Sequence, residues 1–283
     1  MSSDAHAAIA VDSARSWIRL AICVALSAIG SVGMWSFVVV LPAVQADFGI
    51  GRAEASMPYT VVMISFAVGG VLMGRVVDRR GVMAAILSGA VLLSLGYLLS
   101  ALAQHVYVFA FFQGVMVGLG SSAMFAPLIA DISHWFEKRR GIAVAICAAG
   151  NYLGGVIWPP LTQYFIDHSG WRATHIGIGL FCLLAIPALA WLLRGRHPVM
   201  APAQAGTIGF KPLLDSGMSK NTLQVLLVIA GVACCVAMSM PQVHLVAYCG
   251  DLGYGPARGA DMLSLMLGFG IVSRVASGFV ADK

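Results

Sequence analysis

The chain has 283 residues, of which 59% are apolar and only 10% are Asp, Glu, Lys or Arg. Soluble domains carry roughly 25% charged residues, so the composition excludes an ordinary water-soluble fold. The 17 Lys and Arg exceed the 12 Asp and Glu by five, and this excess calls for either an acidic partner or a topological explanation.

Long apolar runs recur along the chain. A helix rising about 1.5 Å per residue needs about 20 residues to cross a hydrocarbon core of about 30 Å. The runs predict eight membrane-spanning helices, at residues 17–41, 55–75, 82–103, 107–132, 141–163, 174–194, 222–247 and 259–281. The predicted fold class is therefore an all-α, polytopic transmembrane helical bundle. The first run exceeds a signal-peptide core of about 7 to 15 residues, so we expect it to remain in the membrane.

The basic residues between these spans divide unevenly between the two sides of the membrane. Thirteen fall on the side of the N-terminus, and the opposite side carries only Arg52, Arg172 and Arg258. Because basic residues near span ends are retained in the cytoplasm, we predict a cytoplasmic N-terminus in a plasma or inner membrane. Topology thus accounts for the net charge of +5, and no nucleic-acid partner is predicted.

Several kinds of chemical site are not predicted. The six cysteines suggest no disulfide framework, and no Cys/His cluster has metal-ligand spacing. The letters of residues 118–123 fit a dinucleotide fingerprint, but they lie inside a span with no preceding strand. No nucleophile, base and orienting acid can be identified together. We therefore predict no metal, no cofactor and no enzymatic activity.

The sequence also repeats itself at a single offset of 204 residues. Leu41, Ala43, Asp47, Gly49, Gly51, Ala53, Gly74, Asp78 and Arg79 fall on Leu245, Ala247, Asp251, Gly253, Gly255, Ala257, Gly278, Asp282 and Lys283. Six predicted spans separate the copies, and an even number of spans preserves orientation. The copies therefore predict parallel repeats related by an axis along the membrane normal.

The repeat divides the chain into four predicted parts. They are a cytoplasmic tail (1–16), a first six-helix bundle (17–194), a cytoplasmic linker rich in Pro and Gly (195–220) and the start of a second bundle with helices 7 and 8 only (221–283). Eight of an expected twelve helices are then present. Since helices 9 to 12 would form much of the second cavity wall, we expect that these 283 residues do not transport by themselves.

The loop after the second span reads Gly74-Arg75-Val76-Val77-Asp78-Arg79-Arg80-Gly81, and Gly278 to Lys283 begin a second copy. This loop resembles the signature loop of the major facilitator superfamily. Gly70 and Gly74 give a face suited to close helix packing, and Asp78 can accept hydrogen bonds from backbone N–H groups of the third span. We predict a conformational role for Gly74, Asp78, Arg79, Gly81, Gly278 and Asp282, with an ordinary charged turn as the alternative.

Other motifs resemble the monocarboxylate transporter and bacterial oxalate/formate antiporter branch of that superfamily. They are Trp135 to Gly141, Ala148 to Asn151, Trp158-Pro159-Pro160, Gly170-Trp171-Arg172 and His244 to Tyr248 before Asp251-Leu252-Gly253. The resemblance covers nearly all of residues 20–283. It implies two six-helix bundles rocking about a central cavity, and a secondary transporter of small organic anions that is monomeric when complete. Its other partner is the lipid bilayer.

Arg274 is the one basic residue deep inside a predicted span, whereas Arg19, Arg75 and Arg194 lie at span ends. A charge at such a depth costs about 2.5 to 3.5 kcal/mol. Its repeat counterpart is Gly70, so the scaffold does not require a charge there. A guanidinium is always charged and can grip a carboxylate through two parallel hydrogen bonds. In the resembled family, an arginine here binds the substrate carboxylate. The alternatives are that Arg274 snorkels to the interface or pairs with a structural acid.

Proton-coupled members of the resembled branch place an aspartate one turn before this arginine, where the present chain has Gly270. Glycine cannot carry a proton, so proton coupling through position 270 is not expected. Uniport, symport with the proton carried by another residue, and exchange of one anion for another all stay open. His244, near the outer end of the seventh span, is a possible proton-coupling residue or else a packing residue.

Asn151, Tyr152, Trp35 and Tyr59 are further candidates for binding the substrate. The first two are polar groups within the fifth span, and Asn151 could equally bond to a neighbouring helix. The two other aromatic residues could instead pack or anchor the protein in the membrane. A non-transporting membrane sensor and an inactive truncated transporter are the alternative functions. An intramembrane enzyme would lack a catalytic constellation.

Overall fold

The computed structural model describes residues 11–194 and 219–281. Every regular element in these residues is helical, which confirms the predicted all-α fold. The elements are α1 (Ala14–Gly30), α2 (Val32–Phe48), α3 (Arg52–Arg80), α4 (Val82–Ala101), α5 (Val106–Phe109), a π-helix (Ala110–Val117), α6 (Gly118–Ser122), α7 (Ala126–Ser133), α8 (Arg140–Leu192), α9 (Lys220–Asp251) and α10 (Pro256–Ala281). Asp282, nearly all of the predicted linker and most of the predicted tail lie outside the described residues.

Seven helical stretches of the described residues are long and apolar enough to cross a membrane. One of them, α8, has 53 residues, which at 1.5 Å per residue is about 80 Å and more than twice the hydrocarbon core. It is interrupted at Gly170, whose φ of 79° and ψ of 161° are not helical. We call residues 140–169 the first arm of α8 and residues 171–192 the second arm. The two arms correspond to the predicted fifth and sixth spans.

The first arm of α8 packs closely against α1 because two glycines face that helix. A Cβ added at Gly150 would lie 2.8 Å from a backbone oxygen of α1, and one added at Gly154 would overlap Ser31 Oγ and the backbone oxygen of Ala28. One turn later, Trp158 Nε1 donates to the same Ala28 oxygen at 2.8 Å. Small residues allow membrane helices to approach in this way, and the gain in packing stabilises them.

A buried ion pair joins the helices at the end of the bundle that holds residue 14. Arg19 donates from Nε and Nη2 to the two carboxylate oxygens of Asp131 at 2.7 and 3.0 Å, and from Nη1 to the backbone oxygen of Leu193 at 2.8 Å. The side chains of Arg19 and Asp131 are only 9% and 0% exposed. These contacts connect α1, α7 and the end of α8, which the sequence assigned to one side of the membrane.

A second ion pair lies at the opposite end. Arg172 Nη1 donates to Asp47 Oδ2 at 2.6 Å, and Arg172 Nη2 donates to the backbone oxygen of Ala103 at 3.3 Å. Here the two charged side chains are 43% and 38% exposed. The residues belong to the end of α2, the loop after α4 and the second arm of α8. Each end of the bundle thus gathers the segments that the sequence places on the same side.

We expect Asp131→Asn to lower the melting temperature of the detergent-purified protein. The amide nearly keeps the shape of the carboxylate but removes the charge that compensates Arg19, and breaking a buried ion pair costs about 3 to 5 kcal/mol. Asp47→Asn is the matched control, because an exposed pair contributes about 0 to 1 kcal/mol. Equal shifts in the two variants would show that burial does not determine the contribution of these pairs.

Gly154→Ala should also destabilise the protein. The added methyl group overlaps backbone and side-chain atoms of α1, and overpacking of this kind costs about 1 to 3 kcal/mol. Gly177→Ala in the second arm is the control, since a Cβ there meets no atom within 4 Å and alanine favours the helix. A melting temperature for Gly154→Ala at or above that of Gly177→Ala would disprove the tight crossing.

Candidate substrate-binding cavity

A cavity of about 590 Å³ lies where α8, α9 and α10 meet. Among the described residues that line it, Arg274 is the one charged residue. The lining residues are Tyr152 of α8, Ala237, Met238, Pro241 and Gln242 of α9, and Met266, Leu267, Gly270, Ser273, Arg274 and Ser277 of α10. The cavity therefore combines a largely apolar wall with a single permanent positive charge.

Arg274 is half-buried and lies against an aromatic ring. Its guanidinium carbon is 4.6 Å from the centroid of the Tyr152 ring, and its Nη2 donates to the Tyr152 hydroxyl at 3.4 Å. A cation over an aromatic face is attracted to the π electrons. Within residues 11–194 and 219–281, no Asp or Glu forms an ion pair with Arg274.

The Tyr152 ring reaches Arg274 because Gly270 leaves space for it. A Cβ added at Gly270 would lie 2.7 Å from Cε1 and 2.8 Å from Cδ1 of the ring. The two helices also approach at Gly155, where a Cβ would overlap a leucine of α10, and at Gly278, where a Cβ would lie 2.5 Å from an alanine of α8. Glycines on both helices thus set the short separation that brings the ring against the guanidinium.

Three other residues predicted to bind substrate pack away from this cavity. Trp35 is 2% exposed and donates from Nε1 to the backbone oxygen of Asn151 at 3.0 Å. The Asn151 side chain is 9% exposed, and its Nδ2 lies 3.8 Å from Met34 Sδ. Tyr59 is 8% exposed and stacks on Phe37 with ring centroids 5.9 Å apart. None of the three lines the Arg274 cavity.

His244, the predicted proton-coupling residue, is exposed on α9 and does not line the cavity. In the signature loop, Asp78 and Arg79 are exposed at the end of α3. The hydrogen bond that Asp78 was expected to accept from a backbone N–H at the start of α4 is not formed within the described part of the chain. Gly81 makes the turn between these helices with a φ of +83°, a left-handed conformation that glycine adopts without steric cost.

The glycines of the two repeat copies differ in their surroundings. A Cβ at Gly278 would press against the start of α8, whereas a Cβ at Gly70 or Gly74 would meet no described atom within 4 Å. The close packing expected on the face of Gly70 and Gly74 is therefore not seen among the described residues. In the second copy, Gly278 does pack in this way.

Sequence reasoning missed part of the cavity wall. Ser273 and Ser277 flank Arg274 within one turn of α10, and Met238 Sδ lies 4.0 Å from the Tyr152 hydroxyl. A signal for Met238 was present, because it is the repeat counterpart of Met34. Both methionines place their sulfur against neighbouring residues of α8.

Comparison with known proteins supplies a family for this architecture. The profile of the Major Facilitator Superfamily matches residues 20–283. The chain is 29% identical over 237 residues to the MFS-type transporter pytF of Aspergillus terreus, covering 83% of this chain and 78% of pytF. It is 30% identical over 230 residues to monocarboxylate transporter 13 of Bos taurus (81% and 51% covered) and 27% identical over 243 residues to monocarboxylate transporter 4 of Rattus norvegicus (83% and 50% covered).

Solved structures agree at the level of fold. A POT family transporter in complex with a thioalcohol-conjugated peptide matches with a TM-score of 0.54 at 17% identity, covering 81% of this chain and 47% of that transporter. The POT family transporter PepTSo matches with a TM-score of 0.52 at 18% identity, covering 92% and 52%. The chain thus spans about half the length of these structures and of the two monocarboxylate transporters. Because the profile match runs through nearly all of the sequence, the chain belongs to the Major Facilitator Superfamily.

Proposed function

We propose that the protein is a secondary active transporter of small organic anions, either monocarboxylates or dicarboxylates, that works by alternating access. Membership of the superfamily makes it a multi-pass membrane protein of a transporter family. Monocarboxylate transporters among its relatives support a carboxylate substrate. The observation that carries the proposal is Arg274, a permanent charge that lines a largely apolar cavity.

The charge of Arg274 requires an anion in a medium that solvates it poorly. A charged residue within a membrane helix costs about 2.5 to 3.5 kcal/mol unless it is compensated. Asp261, on the same helix, is about 20 Å away at 1.5 Å per residue. A ligand carboxylate in the cavity would provide the compensation and would accept two parallel hydrogen bonds from the guanidinium. The proposed substrate therefore completes the site electrostatically.

We expect Arg274→Lys to weaken carboxylate binding by about tenfold or more, because it keeps the charge but loses a charge-assisted hydrogen bond worth about 1.5 to 3 kcal/mol. Arg274→Gly, which installs the residue of the first repeat copy, should abolish binding and leave the melting temperature at least as high. The measurement is binding of radiolabelled lactate, benzoate and oxalate to the purified full-length protein.

Arg258→Lys, at an exposed position near the start of α10, is the control and should bind as the unaltered protein does. Uptake of the same carboxylates into proteoliposomes, with and without a pH gradient or internal carboxylate, would then separate uniport, symport and exchange. Unchanged binding in Arg274→Gly would place the substrate site elsewhere and make Arg274 a structural residue.

We further propose that the N-terminus and the segment around residue 207 lie in the cytoplasm of a cell whose plasma or inner membrane holds the protein. The 13 to 3 division of basic residues supports this orientation. The contacts at each end of the bundle join segments assigned to the same side, so they support the division of the segments between the two sides.

Cysteine labelling tests this orientation. In a background without the native cysteines, Gln104→Cys, in an exposed loop after α4, should react with an impermeant maleimide in intact cells. Thr207→Cys should react only after the membrane is permeabilised. Labelling of Thr207→Cys from outside intact cells would reverse the proposed topology.

A further inference from the structure

The position four residues before Arg274 is where an acidic side chain on the same helix would pair with it, since residues at this spacing share a helix face. That position is Gly270. Glycine lowers helix stability relative to alanine. A favourable contact that only glycine permits would explain its presence at position 270. The space beside Gly270 holds the Tyr152 ring, with Cε1 only 2.7 Å from the position a Cβ would take. A side chain at 270 and this ring placement therefore exclude one another.

The ring compensates Arg274 differently from an acid. A carboxylate would bind the edge of the guanidinium and occupy the N–H groups that a ligand needs. An aromatic ring instead attracts the cation through its face. Among the described residues, one contact, from Nη2 to the Tyr152 hydroxyl at 3.4 Å, uses an N–H group of Arg274. The guanidinium has five N–H donors. Most of them thus stay available for a carboxylate in the cavity.

Tyr152 also contacts the neighbouring helix α9. Its hydroxyl lies 4.0 Å from Met238 Sδ on α9 while its ring faces Arg274 on α10. One side chain of α8 therefore contacts both described helices of the second repeat copy at the cavity.

We propose that Tyr152 and Gly270 form a size-matched pair in which the missing side chain at 270 seats the Tyr152 ring against Arg274, so that Tyr152 is a positioning residue for the carboxylate site. This inference rests on the proposed function of Arg274. The role of Gly270 is then to make room for the ring. An aromatic group contacts the cation in place of an acid on the same helix, because a side chain at position 270 would take the space of the ring.

A double-mutant cycle in the full-length protein tests the pair. Tyr152→Leu and Gly270→Ala should each weaken binding of the best-bound of lactate, benzoate and oxalate by about tenfold, because a guanidinium that the ring no longer positions loses about one charge-assisted hydrogen bond to the carboxylate. The double variant should bind the carboxylate no more weakly than the single variant with the lower affinity, because both changes remove the same contact between the ring and Arg274. Tyr152→Phe keeps the ring and should bind within about threefold of the unaltered protein.

Gly268→Ala is the matched control, since a Cβ there would lie 3.7 Å from Val156 Cγ2, an ordinary contact. This variant should bind the carboxylate as the unaltered protein does. An additive loss of about a hundredfold in the double variant, or no rescue by phenylalanine relative to leucine, would overturn the proposal.

A second measurement needs no ligand and separates this inference from the proposed function. Peptide-resolved mass spectrometry can follow the reaction of Arg274 with phenylglyoxal, which the ring should hinder. Labelling should be several-fold faster in Tyr152→Leu and Gly270→Ala than in Tyr152→Phe, Gly268→Ala and the unaltered protein. If none of the carboxylates binds, or if Arg274→Gly binds them equally well, the proposed function fails while labelling still decides the pair. Unchanged labelling in Tyr152→Leu refutes the pair whatever the binding result.

Discussion

The close approach of the first arm of α8 to α1 and α10 is the contact on which the rest of the described structure depends. Gly150 and Gly154 are four residues apart and therefore share the face toward α1. Gly155 is rotated from Gly154 by about 100° and faces α10. Tyr152 lies three residues before Gly155, on the same face. The glycine spacing that lets the first arm of α8 pack against both α1 and α10 thus also directs Tyr152 toward Arg274.

Three arginines that lie against aromatic rings differ in how their charge is compensated. In each, the guanidinium carbon lies close to the centroid of an aromatic ring. The distance is 4.6 Å from Arg19 to Trp135, 4.3 Å from Arg172 to Trp171 and 4.6 Å from Arg274 to Tyr152. The first two also hold a carboxylate, from Asp131 and Asp47. Among residues 11–194 and 219–281, the third holds none. Arg194, 5.3 Å from the centroid of the Trp191 ring, also has no ion pair within the described residues, but it is exposed. Arg274 is half-buried and lines a largely apolar cavity, and this supports the proposal that a ligand supplies its anion.

A structural feature could be predicted when the residues that determine it lie within one stretch of sequence, and not when it depends on packing between distant helices. The spans were predictable because the length of an apolar run is a property of the sequence itself, and the two arms of α8 correspond to the fifth and sixth predicted spans. The repeat stays a prediction. Arg274 was predictable since a charge within an apolar run is conspicuous. The placement of Trp35 and Tyr59 was not, because aromatic identity does not reveal which neighbour a helix face meets. Gly270 suggested only an absent acid, and its role needed the packing of α8 on α10.

The proposed site is asymmetric on a symmetric scaffold, and this asymmetry links ligand binding to movement. The ring of Tyr152 belongs to the first predicted bundle and Arg274 to the second. Rocking of one bundle against the other, as proposed for alternating access, would therefore change the contact between ring and guanidinium. A ligand shifts such an equilibrium only through its different affinity for the two states. Because the ring is proposed to position Arg274 for the carboxylate, the state that keeps this contact would bind the ligand more tightly, and the ligand would shift the equilibrium toward that state.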